Sequence, residues 1–388
     1  MSDPAQRPVR VCYVVSFFHP FASGAEGQAL AQGLELARRG HPVHVITRAI
    51  PGYPVVDEDY HGVFIHRWIK PLARGPLFAL SFTHGVARAL LRLRDEYDVI
   101  HTHQALWEAV ATGAARPILA GKPTLVQPAS SGYYGEADEL RRTKGARLLR
   151  SIILKNTAFA AISAEIERQW LDLGVPADKM FKMKSGVDAQ RFHPGPSTSS
   201  VELDLLPRPR ALFTGRLHPQ KNLPLLLEAW ALVVRQIPAS LILVGPGAER
   251  QALADKATSL GIANHVQFVG PVADPADHLR AADLFVLPSV AEGMSNSLLE
   301  AMATSLPSAV SGIGGNTDLI DDRETGRLVA DSNPQAWAAV LLELLQDAPA
   351  ARRMGQAARQ RIDDEFALPV VVDRYLELYN RLLARPPH

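Results

Sequence analysis

The densest run of chemistry-bearing residues is Glu292-Gly-Met-Ser-Asn-Ser-Leu-Leu-Glu300, which follows an apolar stretch and turn at Leu284–Ser289. Gly293 and Met294 with Ser295, Asn296 and Ser297 suit a loop turning into a helix, whose first free N–H groups and dipole attract an anion such as phosphate. Glu292 then belongs to the loop and Glu300 to the second helical turn, with room between them for a bound molecule. Two carboxylates flanking an anion site call for a polar neighbour such as sugar hydroxyls. The same run also reads as an N-capped helix carrying two solvated glutamates.

Cations for such a ligand stand in Gly215-Arg216-Leu-His-Pro-Gln-Lys221, after Ala211–Thr214. Arg216 offers a planar fork of donors and Lys221 a compact point charge, a combination suited to a diphosphate. Each taken alone is equally a surface cation. Ser23-Gly24-Ala25-Glu26-Gly27 joins the first strand to the first helix, and glycine there lets the backbone approach a phosphate closely. Any tight strand-to-helix turn also wants glycine, and the G-x-G-x-x-G dinucleotide pattern is incomplete both here and at Gly245-Pro246-Gly247. His101-Thr-His103 closes a strand with both imidazoles on one side. Metal binding there lacks further local ligands, which leaves a structural role or a polar contact to a ligand hydroxyl. Gly312-Ile-Gly-Gly-Asn316 marks a loop at the same edge or a plain turn.

These residues converge only if they sit just after strands of parallel sheets, where ligands bind beyond the carboxyl ends. The pattern allows it. Apolar β-branched runs at Val9–Ser16, Val43–Thr47, Val63–Trp68, Asp98–His101 and Pro123–Gln127 alternate with helical patterns at Gln28–Arg39, Leu77–Arg94 and Ala105–Leu119. Gly40 caps the first helix. Such spacing implies parallel pairing with right-handed crossovers. The alternation breaks at Phe192–Arg210, rich in proline and Ser/Thr, and then resumes. Strands are expected at Ala211–Thr214, Leu241–Val244, Val266–Val269, Leu284–Leu287, Ala309–Ser311 and Arg327–Ala330. Helices are expected at Leu223–Gln236 and Ala248–Leu260, and a helix-rich tail from Pro334 to Leu383. The expected fold class is α/β, with two Rossmann-like, doubly wound domains facing across a cleft. The domains are 1–192, a linker 193–210, and 211–366, with a final helix over 367–388 packing back on the first domain.

Composition narrows the function classes. Among 388 residues, 41 Lys and Arg balance 40 Asp and Glu, so no basic excess points to nucleic acid. Hydrophobic residues at 47% and charged residues at 21% describe a folded globular chain. The lone Cys12 excludes an intramolecular disulfide and a multi-cysteine zinc site, reads as a small buried hydrophobe, and fits a reducing compartment. No run approaches the roughly 20 apolar residues of a membrane span, and the N-terminal residues lack a signal-peptide core. The chain is expected to be cytoplasmic.

Taken together, these residues resemble the retaining GT-B glycosyltransferases of family 4, the group 1 type, over essentially the whole chain. The resemblance lies in the glycine loop and the helix ending Leu36-Ala37-Arg38-Arg39-Gly40-His41. It continues through Gly174-Val-Pro, Ser185-Gly-Val-Asp188 and Arg191-Phe-His-Pro194, then Thr214-Gly-Arg-Leu217 with Lys221, Leu243-Val-Gly245, Phe268-Val-Gly270, and Glu292-x7-Glu300 with Ala301-Met302-Ala303. It implies a nucleoside diphosphate sugar as donor, no metal or other cofactor, and a glycan, lipid-linked or small-molecule acceptor in polysaccharide or glycoconjugate synthesis. It further implies that Arg216 and Lys221 hold the diphosphate, with Gly24 approaching from the other domain. Glu292 would contact the sugar, the amides of Gly293–Ser297 would hold hydroxyls and phosphate, and Glu300 the ribose. The base would meet backbone near Gly270 and Val272, and His103 or His101 the transferred sugar. Ser23 and Ser305 depart from the family's usual glycines; the second sits behind the site.

One further stretch, Leu140–Lys155, carries Arg141, Arg142, Lys144, Arg147, Arg150 and Lys155 around Leu148, Leu149, Ile152 and Ile153. As one helix it has the make-up of an interfacial helix on an anionic membrane, or of a domain helix whose apolar stripe packs on the sheet.

Overall fold

The structure is a computed structural model that describes residues 7–20, 24–72, 75–197 and 206–385. Ser23 and much of the proline-rich stretch fall outside these residues. The chain divides into two compact units, Met1–Gly186 with Leu368–His388, and Val187–Ala367. The division thus falls ahead of the expected linker.

The first unit holds an eight-stranded sheet in the order β3-β4-β2-β1-β5-β6-β7-β8. Its strands are β1 Val11–Val14, β2 Val43–Arg48, β3 Asp57–Tyr60, β4 Val63–Ile69, β5 Val99–Thr102, β6 Thr124–Val126, β7 Ala158–Ala161 and β8 Met180–Lys182. Pairing is parallel apart from β3 against β4. The second unit holds a parallel six-stranded sheet, β11-β10-β9-β12-β13-β14. Here β9 is Arg210–Thr214, β10 Ser240–Val244, β11 Val266–Gly270, β12 Leu284–Leu287, β13 Ser308–Ser311 and β14 Arg327–Val329.

Residues of both parities are buried along β1, β5, β7, β9, β10, β12 and β13, as parallel strands covered by helices on both faces require. Cys12 lies in that core. The first helix, Gly24–Arg38, stops at Gly40, whose φ of 82° only glycine adopts without strain. The helix Leu368–Leu383 covers one face of the first sheet, burying Val371, Val372, Tyr375, Leu378, Tyr379 and Leu382 against Tyr13, Val43, Val99 and Leu125.

The stretch 140–155 is two helices, Glu136–Arg142 and Ala146–Ile153, broken at Gly145 with φ 80°. Leu140 and Ile153 are buried while Leu148 is 65% exposed. The apolar stripe is therefore shared between the core and solvent. Ser305 adopts φ 58°, the left-handed conformation that a glycine takes without strain. Its carbonyl packs against Gly355, where a Cβ would stand 2.1 Å away.

Candidate functional site

In the second unit, β12 delivers the chain to a compact loop. Ser295 caps the helix Asn296–Ala303, accepting from the Leu298 N–H at 3.3 Å. Glu292 is buried in the loop, where its Oε1 accepts from Ser289 Oγ at 2.6 Å and pairs with Lys221 Nζ at 2.6 Å. The two ion-pair side chains are 7% and 14% exposed. Backbone bonds fasten the neighbouring segments: Val290 N donates to Gln220 O at 2.9 Å, and Gln220 Nε2 donates to Ala291 O at 2.8 Å. The short turn Pro219–Lys221 and the glutamate loop are thus one rigid corner.

Glycine packing builds the floor of that corner. A Cβ on Gly315 would lie 1.8 Å from Gly293 O, so the loop 312–316 is pressed directly under the glutamate loop. A Cβ on Gly245 would lie 2.0 Å from Gly215 O, and Leu217 N donates to Pro246 O at 2.8 Å. The structure brings Lys221, Glu292, Ser295 and Ser297 together, with Arg216 exposed on the same turn and in no ion pair among the described residues. Glu300 follows on the second turn of the helix, half-buried. Burial around its carboxyl pushes it up to about 7, against the pull of Arg191. Gly270 ends β11 with φ 88°, Arg250 lies beside it, and Val272 is half-buried.

In the first unit, Gly24 opens the helix Gly24–Arg38 and is exposed; a Cβ there would meet nothing within 4 Å. Packing within the protein makes no demand for glycine at this position. His101 and His103 do share one side, with rings 4.2 Å apart. Both are 0% exposed. His101 Nδ1 meets the Tyr379 hydroxyl at 2.8 Å, while His103 stands edge-on to Tyr13. Burial pushes His101 down to about 3 and His103 well below the ordinary imidazole range, so both are neutral. Among the described residues, His101 Nε2 and both ring nitrogens of His103 are buried with no hydrogen-bond partner.

The same end of the sheet holds groups that the sequence reading passed over. Glu108, 2% exposed in the first turn of the helix Trp107–Ala115, accepts from Ser16 Oγ, and burial pushes its carboxyl up to about 6. Glu136 accepts the N–H groups of Ala129 and Ser130 at 2.8 and 2.9 Å. Gln127, just past β6, accepts from Tyr375 at 2.6 Å. The signal available was their position after β1, β5 and β6, the filter that selected the other candidates. Polar residues inside apolar windows were instead absorbed into core elements.

Residues 22–191 match the family described as Glycosyltransferase Family 4, and residues 208–347 match Glycosyl transferases group 1. The D-inositol 3-phosphate glycosyltransferase of Nocardia farcinica is 31% identical over 91% of this chain and 85% of its own. The N-acetyl-alpha-D-glucosaminyl L-malate synthase of Bacillus anthracis is 25% identical over 93% and 94%. Among solved structures, Anabaena HepE in complex with UDP superimposes with TM-score 0.79 at 20% identity, covering 96% of this chain and 100% of that one.

Proposed function

Because this chain belongs to the GT-B glycosyltransferases of group 1 and family 4, we propose that it moves a hexose-type sugar from a nucleoside diphosphate, UDP in the first instance, to a hydroxyl acceptor with retention of anomeric configuration. The observation that carries the donor reading is the corner formed by Lys221 and Glu292 beside the N-terminus of the helix Asn296–Ala303. Lys221 and Glu292 cancel each other's charge. The donor diphosphate therefore relies on Arg216, on the remaining protons of Lys221 Nζ, and on the N–H groups of Asn296 and Ser297. Those donors face the charge that grows on the leaving diphosphate, where fixed dipoles act most strongly.

Glu292 is held by Lys221 and Ser289 in one orientation, suited to a sugar hydroxyl. With that carboxylate engaged, retention follows from front-face attack: the acceptor O–H gives its proton to the leaving phosphate oxygen as the new glycosidic bond forms on the same face. Glu300 takes the ribose and Gly270 with Val272 the base. No metal enters this scheme. Relatives named for D-inositol 3-phosphate and L-malate are consistent with a small, hydroxyl-bearing acceptor, and one named for GlcNAc-diphosphoundecaprenol with a lipid-linked one.

The test is incubation with UDP- and GDP-sugars, with and without candidate acceptors, in EDTA. Mass spectrometry identifies the products and NMR their anomeric configuration. A free sugar-nucleotide isomer formed without acceptor would replace transfer by epimerisation. UDP binding without turnover of any donor would reduce the protein to a binding module. An inverted product would remove retention, and activity lost in EDTA and restored by Mg²⁺ would remove metal independence.

A further inference from the structure

The carboxyl-end edge of the first sheet carries a cation that is in no ion pair among the described residues. Arg48 ends β2, and its guanidinium carbon lies 4.6 Å from the Phe17 ring centroid and 5.4 Å from that of Phe78. Its Nε is buried and has no hydrogen-bond partner. Among the described residues Arg48 enters no ion pair; Glu108 attracts it electrostatically without pairing. A guanidinium packed against two aromatic rings has fewer orientations open to it, and its planar fork can make two parallel bonds to an oxyanion. The buried Nε is closed to a ligand, so the terminal N–H groups, which have no hydrogen-bond partner among the described residues, are the donors left for an oxyanion.

The surroundings place this fork where a ligand is expected. Ser16 and Phe17 follow β1, Arg48 ends β2, Phe78 follows β4 and Glu108 follows β5. All lie at the carboxyl ends of parallel strands, the ligand edge of an open α/β sheet. Arg94, an exposed arginine of the same unit, pairs instead with Asp95.

We propose that Arg48 is the specificity-determining contact for a carboxylate or phosphate group on the acceptor, so that the enzyme glycosylates a hydroxyl of an anionic molecule. This rests on the transferase reading above and names the acceptor's class. Phe17 and Phe78 orient the guanidinium, and the acceptor hydroxyl lies elsewhere on the same molecule. The oxyanion belongs to a soluble metabolite or to a lipid phosphate.

The experiment is calorimetry on the full-length protein with UDP saturating, so that the donor's diphosphate site is filled. Inorganic phosphate and glycerol 3-phosphate are titrated first, then vesicles of phosphatidylcholine with and without phosphatidate. Binding in the wild type that weakens roughly 10–100-fold in Arg48→Gln, partly returns in Arg48→Lys, and is unaltered in Arg94→Gln supports the assignment. Preference for glycerol 3-phosphate, or phosphatidate binding that Arg48→Gln weakens, tells the soluble source from the lipid one. Equal phosphate affinity in wild type and Arg48→Gln, or no phosphate binding with UDP bound, overturns it. Unchanged UDP affinity and melting temperature in Arg48→Gln show that fold and donor site are intact. Failure of the wild type to bind UDP or GDP would instead strike the transferase reading, and the phosphate titration is then read on the nucleotide-free protein.

Discussion

Replacing Lys221 with Met keeps most of the side chain's volume and removes its charge, leaving Glu292 without its ion partner. At 2.6 Å, two unit charges in an effective dielectric of ~20 attract by about 6 kcal/mol before desolvation is subtracted. Removing one member of a buried pair costs about 3–5 kcal/mol in general; since Lys221 keeps some contact with water, we expect about 2–3 kcal/mol here. Pairing the substitution with Glu292→Gln removes the stranded charge, and the double variant should lie within about 1 kcal/mol of wild type. The assay is a double-mutant cycle in denaturant, with transfer rates measured on the same four proteins. Stability should return in the double variant while transfer does not, if both groups also meet the donor as proposed. Additive single costs would show that the pair is not formed, and recovered transfer would show that neither group touches the reacting sugar.

Glu300, lifted to about 7 by burial, is more protonated in the folded chain than in the unfolded one. Its contribution to stability is therefore present below the usual carboxylate range and is lost as pH rises through about 7. If the carboxylate receives ribose hydroxyls, UDP binding should tighten as pH rises from about 6 to about 8 and release a proton; calorimetry in Glu300→Gln should lose that component and keep any due to UDP itself. Gly315→Ala should cost about 1–3 kcal/mol and depress transfer, since its Cβ must displace the Gly293 carbonyl, whereas Gly24→Ala should leave the melting temperature unchanged and weaken the donor's KM. Tyr379→Phe strands His101 Nδ1 and should cost about 1–2 kcal/mol in denaturant, with no change in the pH profile because His101 is neutral throughout; a new titration near neutrality would contradict this. Sedimentation with anionic vesicles should show weak attachment that high salt abolishes, carried by the cations around Leu148; no binding at low salt would end the membrane idea.

Period and placement carried most of the fold into view. The strand at Leu284–Leu287 matches its expected bounds, and Val43–Thr47 and Ala211–Thr214 differ by one residue, because short apolar runs bounded by turn residues and set between helical patterns read as buried strands. The strands left unassigned have other physics. Asp57-Glu-Asp-Tyr60 is an exposed edge whose acidic residues read as loop, three of the four residues of Ala158-Phe-Ala-Ala161 are alanine, a helix former, and Met180–Lys182 is only three residues long. Within the second unit the candidate site was legible because Lys221, Glu292 and the helix cap are local signals after strands. The burial of His101 was not legible locally, because the tyrosines that pack on it arrive from residues 375 and 379, far along the chain. Arg48 was missed because an arginine ending a strand looks like any solvated cation until its aromatic neighbours and unpaired Nε are placed.

The helix Leu368–Leu383 belongs to the first unit although the whole second unit intervenes in the chain. During synthesis, the face that will receive Val371, Tyr375 and Tyr379 therefore emerges long before its cover. At roughly 5–20 residues per second, about 180 intervening residues keep that apolar surface open for on the order of 10–40 s. The second unit, contiguous from Val187 to Ala367, can complete its own core in that interval. The nascent first unit is thus the stage most exposed to aggregation and the natural client for a holding chaperone. A stop codon just before Leu368 should yield protein whose second unit is folded and whose first is not.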